Sequence, residues 1–169
     1  SILRAKALES GLGGLKLVEE KVKPYEKDYD QLELEGAGPL AWPKQFDLRG
    51  WGFLMAFDGQ RPIGGATIAV NTPGVHMLEG RSDLAVLWDL RVHPKRRGKG
   101  VGELLYKSSL EWARGRGCQQ MKIETQNVNV SACRFYARMG CELGAIHRRA
   151  YRGSAELAQE VMLLWYVDL

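Results

Sequence analysis

No apolar run in this chain approaches the ~20 residues that a membrane-crossing helix needs, and no signal peptide opens it, so neither a membrane role nor export is expected. Cysteine is scarce. Cys118, Cys133 and Cys141 are an odd number without metal-ligand spacing, which excludes a disulfide framework and points to reduced thiols in a cytoplasmic protein. His76, His93 and His147 also lack ligand spacing, so no metal is expected. Without export, the sequon Asn129-Val130-Ser131 carries no reading. Repeats, low-complexity tracts and linkers are absent. The net charge of +4 comes with no nucleic-acid motif and no interleaved aromatics, which argues against a nucleic-acid partner. What remains is 169 residues of ordinary hydrophobic content, 45%, about one domain. Such a length buries roughly two-thirds of its unfolded surface.

Against that plain background one stretch stands out, Leu87-Trp88-Asp89-Leu90-Arg91-Val92-His93-Pro94-Lys95-Arg96-Arg97-Gly98-Lys99-Gly100-Val101-Gly102. An apolar strand runs into a basic, glycine-rich turn, and an amphipathic helix follows. Unpartnered N–H groups and the positive end of the dipole at the helix start suit a diphosphate. Gly100 and Gly102 remove side chains that would hold a phosphate away. Two commoner cradles fail on spacing. A dinucleotide fingerprint needs a third glycine where Glu103 stands, and a P-loop needs Lys-Ser or Lys-Thr where this turn continues Val101-Gly102-Glu103-Leu104. The basic cluster Lys95, Arg96, Arg97 and Lys99 surrounds the turn.

A second pattern follows the strand-like Met121-Lys122-Ile123-Glu124-Thr125. In Asn127-Val128-Asn129-Val130-Ser131-Ala132-Cys133-Arg134-Phe135-Tyr136-Ala137-Arg138-Met139-Gly140, Asn129 is a fair N-cap and Gly140 a fair stop. Ala132, Phe135, Tyr136 and Met139 repeat at helical spacing and predict one buried face.

Taken together, Arg97-x-x-Gly100-x-Gly102 behind a strand and Asn129-x-x-Ala132-x-x-Phe135-Tyr136-x-x-x-Gly140 resemble the two signatures of the GNAT superfamily of N-acetyltransferases. Pro24-Tyr25-Glu26-Lys27-Asp28-Tyr29, Glu124-Thr125-Gln126-Asn127 and Leu164-Trp165-Tyr166-Val167 extend the resemblance to the streptothricin acetyltransferase branch, closely from about Leu87 onward. The resemblance implies a single α/β domain over residues 1–169, with a mixed, strongly twisted sheet flanked by helices. It implies acetyl-CoA as cosubstrate and a small-molecule amine as acceptor, with antibiotic resistance as the role. A homodimer is admitted as the assembly. Coenzyme-binding positions would be Leu90, Val92, Arg97, Gly98, Lys99, Gly100, Val101, Gly102, Asn129 and Phe135, with the Val92 N–H receiving the oxyanion. Tyr136 would sit near the coenzyme sulfur.

In two places the chain departs from the family pattern. Relatives often carry Glu-Asp in the strand before the cradle, the Glu being a frequent general base, whereas this chain has Trp88-Asp89. Residues 1–14, with Gly11, Gly13 and Gly14, offer little strand pattern where the family opens with a strand, so that part is expected to be divergent or shortened.

The chemistry needs few groups. An amine with an unperturbed pKa of ~10.4 must lose a proton before it attacks. Asp89 is the carboxylate nearest the missing base, although strand alternation puts it on the face opposite Trp88. Glu79, Asp83, Glu124 and a water chain are the alternatives. Tyr136 is the candidate acid for the leaving thiolate. With a phenol near ~10 and a thiol near ~8.5, full transfer is uphill by about 2 kcal/mol, so Tyr136 acts as a hydrogen-bond donor. Cys118 has no paired histidine motif, so direct attack in a ternary complex is preferred to an acyl-enzyme. Trp88 alternatively walls the acceptor site by cation–π attraction. Protein lysine or N-terminal acetylation, and a coenzyme-binding module without turnover, stay open as other functions, because one fold hosts many substrates.

Along the rest of the chain, residues 15–22 read as extended and 25–30 as a polar loop or short helix. Residues 36–43 read as a turn-rich connection. Residues 51–57 and 63–70 form a hairpin turned at Asp58-Gly59, and 71–82 a loop. Residues 83–92 are a central strand. A helix over 101–114 is expected to bury Val101, Leu104, Leu105, Ser108 and Trp112. Residues 142–151 and 160–167 read as closing strands, Trp42, Trp51 and Trp165 as core or interface residues, and His93 as a solvent-facing loop residue.

Overall fold

The computed structural model describes residues 1–23 and 38–169. Its main sheet has six strands in the order β3 (Gly52–Asp58), β4 (Arg61–Val70), β5 (Leu84–Val92), β6 (Gln120–Gln126), β8 (Met162–Asp168) and β7 (Glu142–His147). The pairs β3–β4 and β4–β5 are antiparallel, and β5–β6 is parallel, so the sheet is mixed. A separate antiparallel pair is made by β1 (Ile2–Ala7) and β2 (Leu15–Glu20). Among the described residues the α-helices are the one-turn α1 (Trp42–Gln45), α2 (Val101–Gly115) and α3 (Val130–Arg138). The stretch 24–30 with its tyrosines and residues 36–37 of the expected turn lie outside the described residues.

By their contacts the residues group into two compact units, Pro43–Ile123 with Tyr166–Leu169, and Ser1–Trp42 with Glu124–Trp165. In the first unit, α2 packs on β3, β4 and β5. Leu84, Ala85, Val86 and Leu87 are buried, as the near-continuous apolar run of a strand covered on both faces requires. The buried line of α2 is Leu105, Tyr106, Ser109 and Ala113. The expected inner face is corrected by this: Leu104 is 62% exposed, and Val101, Ser108 and Trp112 are half-buried. The sheet decides the helix's rotation, because two glycines let α2 come close. A Cβ on Gly64 would lie 2.8 Å from the Arg91 carbonyl and 3.1 Å from Leu105, and one on Gly52 would meet the Trp112 ring at 2.7 Å. The loop 71–82 holds a single 3-10 turn, His76–Leu78.

β4 and β5 slip by one residue. Thr67 faces Asp89 and Ile68 faces Leu87, which makes Trp88 the extra residue of a β-bulge. The parallel ladder with β6 covers Leu84–Leu87 of β5 and ends at Leu87↔Ile123.

In the second unit, the amino-terminal strand is present, correcting the expectation of little strand pattern there. Leu3, Ala5 and Ala7 are half-buried and alternate with exposed Arg4 and Lys6, and the register runs from Ile2↔Glu20 to Ala7↔Leu15. Asn127 clasps this strand: its Nδ2 donates to the Leu3 carbonyl at 2.8 Å, and its Oδ1 accepts from the Val161 N–H at 2.8 Å. Its main-chain N–H and carbonyl bond the same two residues. α3 is capped by Asn129 and stopped at Gly140, with φ +85°. Its fully buried line is Val130, Cys133 and Tyr136, while Ala132, Phe135 and Met139 are only half-buried. Trp165 donates from Nε1 to Thr125 Oγ1 at 2.9 Å. β7 ends at His147, so the expected strand to Tyr151 is shorter and Tyr151 stands in a turn.

Candidate active site

The first motif begins where β5 leaves its apolar run. The bulge breaks the strict alternation on which opposite faces for Trp88 and Asp89 were argued. Trp88 packs with Phe46 and Trp51, at centroid distances of 5.4 and 5.3 Å. Both Asp89 oxygens accept from Arg91 Nε at 2.8 Å. Such a carboxylate orients its neighbours more readily than it takes a proton from an amine. Leu90 is half-buried opposite Ala66. At the strand end the Val92 carbonyl accepts from Arg97 Nε at 3.2 Å.

The turn that follows is built by its own side chains. His93 is exposed, as expected of a loop residue, and its Nδ1 also accepts from the Lys95 N–H at 3.3 Å. Arg96 pairs with Asp58 of the β3–β4 turn. Gly98 and Gly100 adopt φ of +71° and +82°, a region that side chains rarely enter, with open space where a Cβ would stand. The glycines are demanded here by the chain's path. The first bond of α2 runs from the Leu104 N–H to the Gly100 carbonyl at 2.9 Å, which leaves the amides of Val101, Gly102 and Glu103 ahead of it. Among the described residues no N-cap side chain bonds this end. Glu103 turns to Lys107, whose ammonium lies 2.7 Å away and holds the carboxyl below its ordinary range. A cavity of about 280 Å³ beside the turn is lined by Arg61, Ile63, His93, Lys95, Arg96 and Lys99. Uncapped amides and a cationic surround are the donor set a diphosphate needs.

The second motif lies in the other unit. Asn129 Oδ1 accepts from the Ala132 N–H at 3.2 Å and from Ser131 Oγ at 3.0 Å, so the cap uses the side-chain oxygen and only its Nδ2 is left for a ligand. Tyr136 is buried, with the Phe135 ring edge-on at 5.2 Å. The structure thus groups Asp89, Leu90, Val92 and Arg97–Gly102 in one unit, and Asn129, Phe135 and Tyr136 in the other.

Sequence reasoning missed Tyr151. Its hydroxyl donates to Glu124 Oε1 at 2.5 Å and accepts from Gln126 Nε2 at 3.3 Å. Burial, then the Glu124 charge, pushes the phenol far above its ordinary range. The only sequence signal was the polar pair Glu124 and Gln126 at alternate positions of an interior strand. Lys122, two residues before Glu124, is likewise buried and bonds Glu79 Oε1 at 2.6 Å. Cys118, Cys133 and Cys141 are buried and form no disulfide. Burial raises the Cys118 and Cys133 thiols, the opposite of what a nucleophile needs.

Residues 16–141 match the model of the Acetyltransferase (GNAT) family. The chain belongs to this family. Similarity to curated proteins includes streptothricin acetyltransferase of Escherichia coli, 35% identical over 85 residues, which spans 50% of this chain and 49% of that protein. Streptothricin acetyltransferase A of Bacillus subtilis (strain 168) is 29% identical over 144 residues, spanning 85% of this chain and 73% of that protein. The chain therefore covers about half the length of the first relative and nearly three-quarters of the second. Among solved structures, a Bacillus anthracis protein assigned as a streptothricin acetyltransferase, bound to acetyl coenzyme A, superposes with a TM-score of 0.76 at 24% identity over 99% of this chain and 85% of that one. Nourseothricin acetyltransferase gives 0.71 at 24% identity, over 99% and 83%. At that identity the likeness is one of fold, and the GNAT fold is what the six-stranded mixed sheet and its helices make. Among the described residues no cluster of His, Cys, Asp or Glu could hold a metal ion, and no helix is long and apolar enough to cross a membrane.

Proposed function

We propose that residues 1–169 form one acetyl-CoA-dependent N-acetyltransferase domain acting on an amine of a small cationic molecule, with a streptothricin-like, lysine-bearing antibiotic as the acceptor class. The observation that carries this reading is the similarity over 144 residues to the Bacillus subtilis streptothricin acetyltransferase A. The chain's own chemistry supports it, because the uncapped amides ahead of Leu104 and the cations around them suit the coenzyme's diphosphate. Acetyl-CoA supplies an acetyl thioester when bound.

The remaining work falls to the protein. Gly98, Lys99, Gly100, Val101 and Gly102 hold the diphosphate, Arg97 fixes the strand end, and Leu90, Asn129 and Phe135 line the coenzyme. The Val92 N–H meets the negative charge that develops on the carbonyl oxygen during attack. Tyr136 donates a hydrogen bond to the departing sulfur. Asp89, engaged by Arg91, positions rather than abstracts, and with Trp88 in place of the usual Glu the amine's proton leaves through water. The buried thiols support a cytoplasmic location. Exposed Phe53, Met55 and Phe57, at alternate positions of the edge strand β3, support a homodimer, which a solution mass measurement reads directly.

The test is to assay purified protein with acetyl-CoA and, separately, streptothricin, free polyamines and a lysine peptide, following thiol release. The small cationic amines should give the higher kcat/KM. A higher value for the peptide would move the reading to protein acetylation, and no release with any amine would reduce the chain to a coenzyme-binding module.

A further inference from the structure

The cavity of about 280 Å³ beside the glycine-rich turn lies between the start of β4, with Arg61 and Ile63, and the turn after β5, with His93, Lys95, Arg96 and Lys99. Two bonds tie these walls together. The His93 N–H donates to the Ile63 carbonyl at 2.9 Å, and Arg96 pairs with Asp58 of the β3–β4 turn. Arg96 is thereby satisfied within the protein. Among the described residues Arg61, Lys95 and Lys99 have no acidic partner, and no carboxylate lines the cavity. Three cations around one small space repel one another, and an anion set among them relieves the repulsion. His93 adds an uncharged donor: its Nδ1 accepts from the Lys95 N–H at 3.3 Å, so the neutral ring carries its proton on Nε2. The volume lies just under the range of about 300–1,000 Å³ usual for a whole small molecule, which suits one charged group and a little of what carries it.

The amides of Val101, Gly102 and Glu103, which suit a diphosphate, do not line this cavity. We propose that the cavity binds a phosphomonoester group, as a second phosphate subsite apart from the diphosphate cradle. Such a group carries a charge of about −1.5 to −2 at neutral pH on three strong acceptor oxygens. It thus matches a guanidinium fork, two ammonium groups and an imidazole N–H better than a carboxylate of single charge does. Coenzyme A bears a phosphomonoester on its ribose, a short reach from its diphosphate. Lys99 stands between the two left-handed glycines of the cradle and also lines the cavity, so one ligand can occupy both. Free phosphate is the other source of the same chemistry. Arg61, which belongs to neither sequence signature, becomes the residue that selects the phosphorylated coenzyme. As a coenzyme subsite, the cavity rests on the reading of the chain as an acetyl-CoA-dependent enzyme.

The experiment titrates coenzyme A and 3′-dephospho-coenzyme A, by calorimetry, into the wild type, Arg61→Gln and Arg61→Lys. The wild type should bind coenzyme A more tightly than its dephospho form by about tenfold or more. Arg61→Gln should remove most of that preference by weakening coenzyme A alone, and Arg61→Lys should restore part of it. Inorganic phosphate is then titrated into each wild-type complex. Binding to the dephospho complex and not to the coenzyme A complex would assign the cavity to the coenzyme's own phosphate. Binding to both complexes, lost in Arg61→Gln, would assign it to free phosphate. Equal weakening of the two coenzymes in Arg61→Gln would overturn the proposal in favour of diffuse attraction. Equal affinities in the wild type together with no phosphate binding would overturn it outright. If the wild type binds neither coenzyme, the acetyl-CoA reading fails on its own, and phosphate binding to the free protein, present or absent, still decides the cavity.

Discussion

Arg97 Nε donates to the Val92 carbonyl at 3.2 Å, so the first residue of the glycine-rich motif folds back onto the last residue of the strand that precedes it. The next amide, that of His93, donates to the Ile63 carbonyl at 2.9 Å. The Val92–His93 peptide is therefore fixed at both ends, one by a side chain of the turn and one by β4. A strand end held in this way keeps the orientation of its neighbouring amides while a ligand comes and goes.

Coenzyme binding should depend on the left-handed glycine ahead of α2. Gly100→Ala meets no atom within 4 Å and should cost only backbone strain, about 1–2 kcal/mol of stability. Gly100→Glu adds an anion to that strain and should abolish coenzyme A binding in a calorimetric titration. Unchanged affinity in Gly100→Glu would sink the cradle. In wild type the affinity should weaken with added salt, because Lys95, Arg96 and Lys99 act through screened attraction.

Tyr136→Phe removes only a hydroxyl. Fold and coenzyme affinity should survive while turnover falls by about tenfold or more. Asp89→Asn should leave more activity than Tyr136→Phe, in line with a carboxylate already engaged by Arg91. Wild-type turnover in Tyr136→Phe, with an amine whose chemistry limits the rate, would mean that the thiolate leaves without this phenol.

The close approach of α2 to β4 gives a stability prediction. Gly64→Ala places a methyl 2.8 Å from a backbone oxygen that cannot turn away, and should destabilise by about 1–3 kcal/mol in denaturant unfolding. Gly115→Ala, with nothing within 4 Å, should be neutral or stabilise by up to about 1 kcal/mol. Equal effects from the two would mean that contact distance is not what makes Gly64 necessary.

Tyr151 links stability to alkaline pH. Its folded pKa is raised above the unfolded value of 10.0 by burial and then by the Glu124 charge, so folded and unfolded states bind the phenol proton alike below that value. Above it the unfolded chain releases the proton first, and stability falls as pH rises. Tyr151→Phe should flatten that fall between about pH 9.5 and 11 in chemical denaturation. Parallel curves for variant and wild type would show that the phenol is not held neutral by the fold.

Much of the architecture was legible because period and punctuation agreed. The β3–β4 hairpin announces itself by Asp58-Gly59 between apolar runs, and α3 by Asn129 and Gly140. β1 was missed because its inward residues after Leu3 are Ala5 and Ala7, too small to register as an apolar stripe. The inner face of α2 was read about one position off, since the helix carries more apolar residues than its buried line holds and the sheet chooses among them. The bulge at Trp88 leaves no mark in composition, because it is a property of pairing with β4. Both glycine-rich and Asn-x-x-Ala signatures were readable as local patterns. Tyr151 was not, since its partner lies 27 residues away and only the folded chain brings them together.

Asn127 bonds the Leu3 carbonyl 124 residues before it and the Val161 N–H 34 residues after it. During synthesis the β1–β2 hairpin can close early from local contacts, but its anchorage must wait until the region around Val161 has left the ribosome. β1 is thus secured only after the chain as far as Val161 has been made. Until then the β1–β2 hairpin, with Leu3, Ala5 and Ala7 uncovered, is open to wrong pairing.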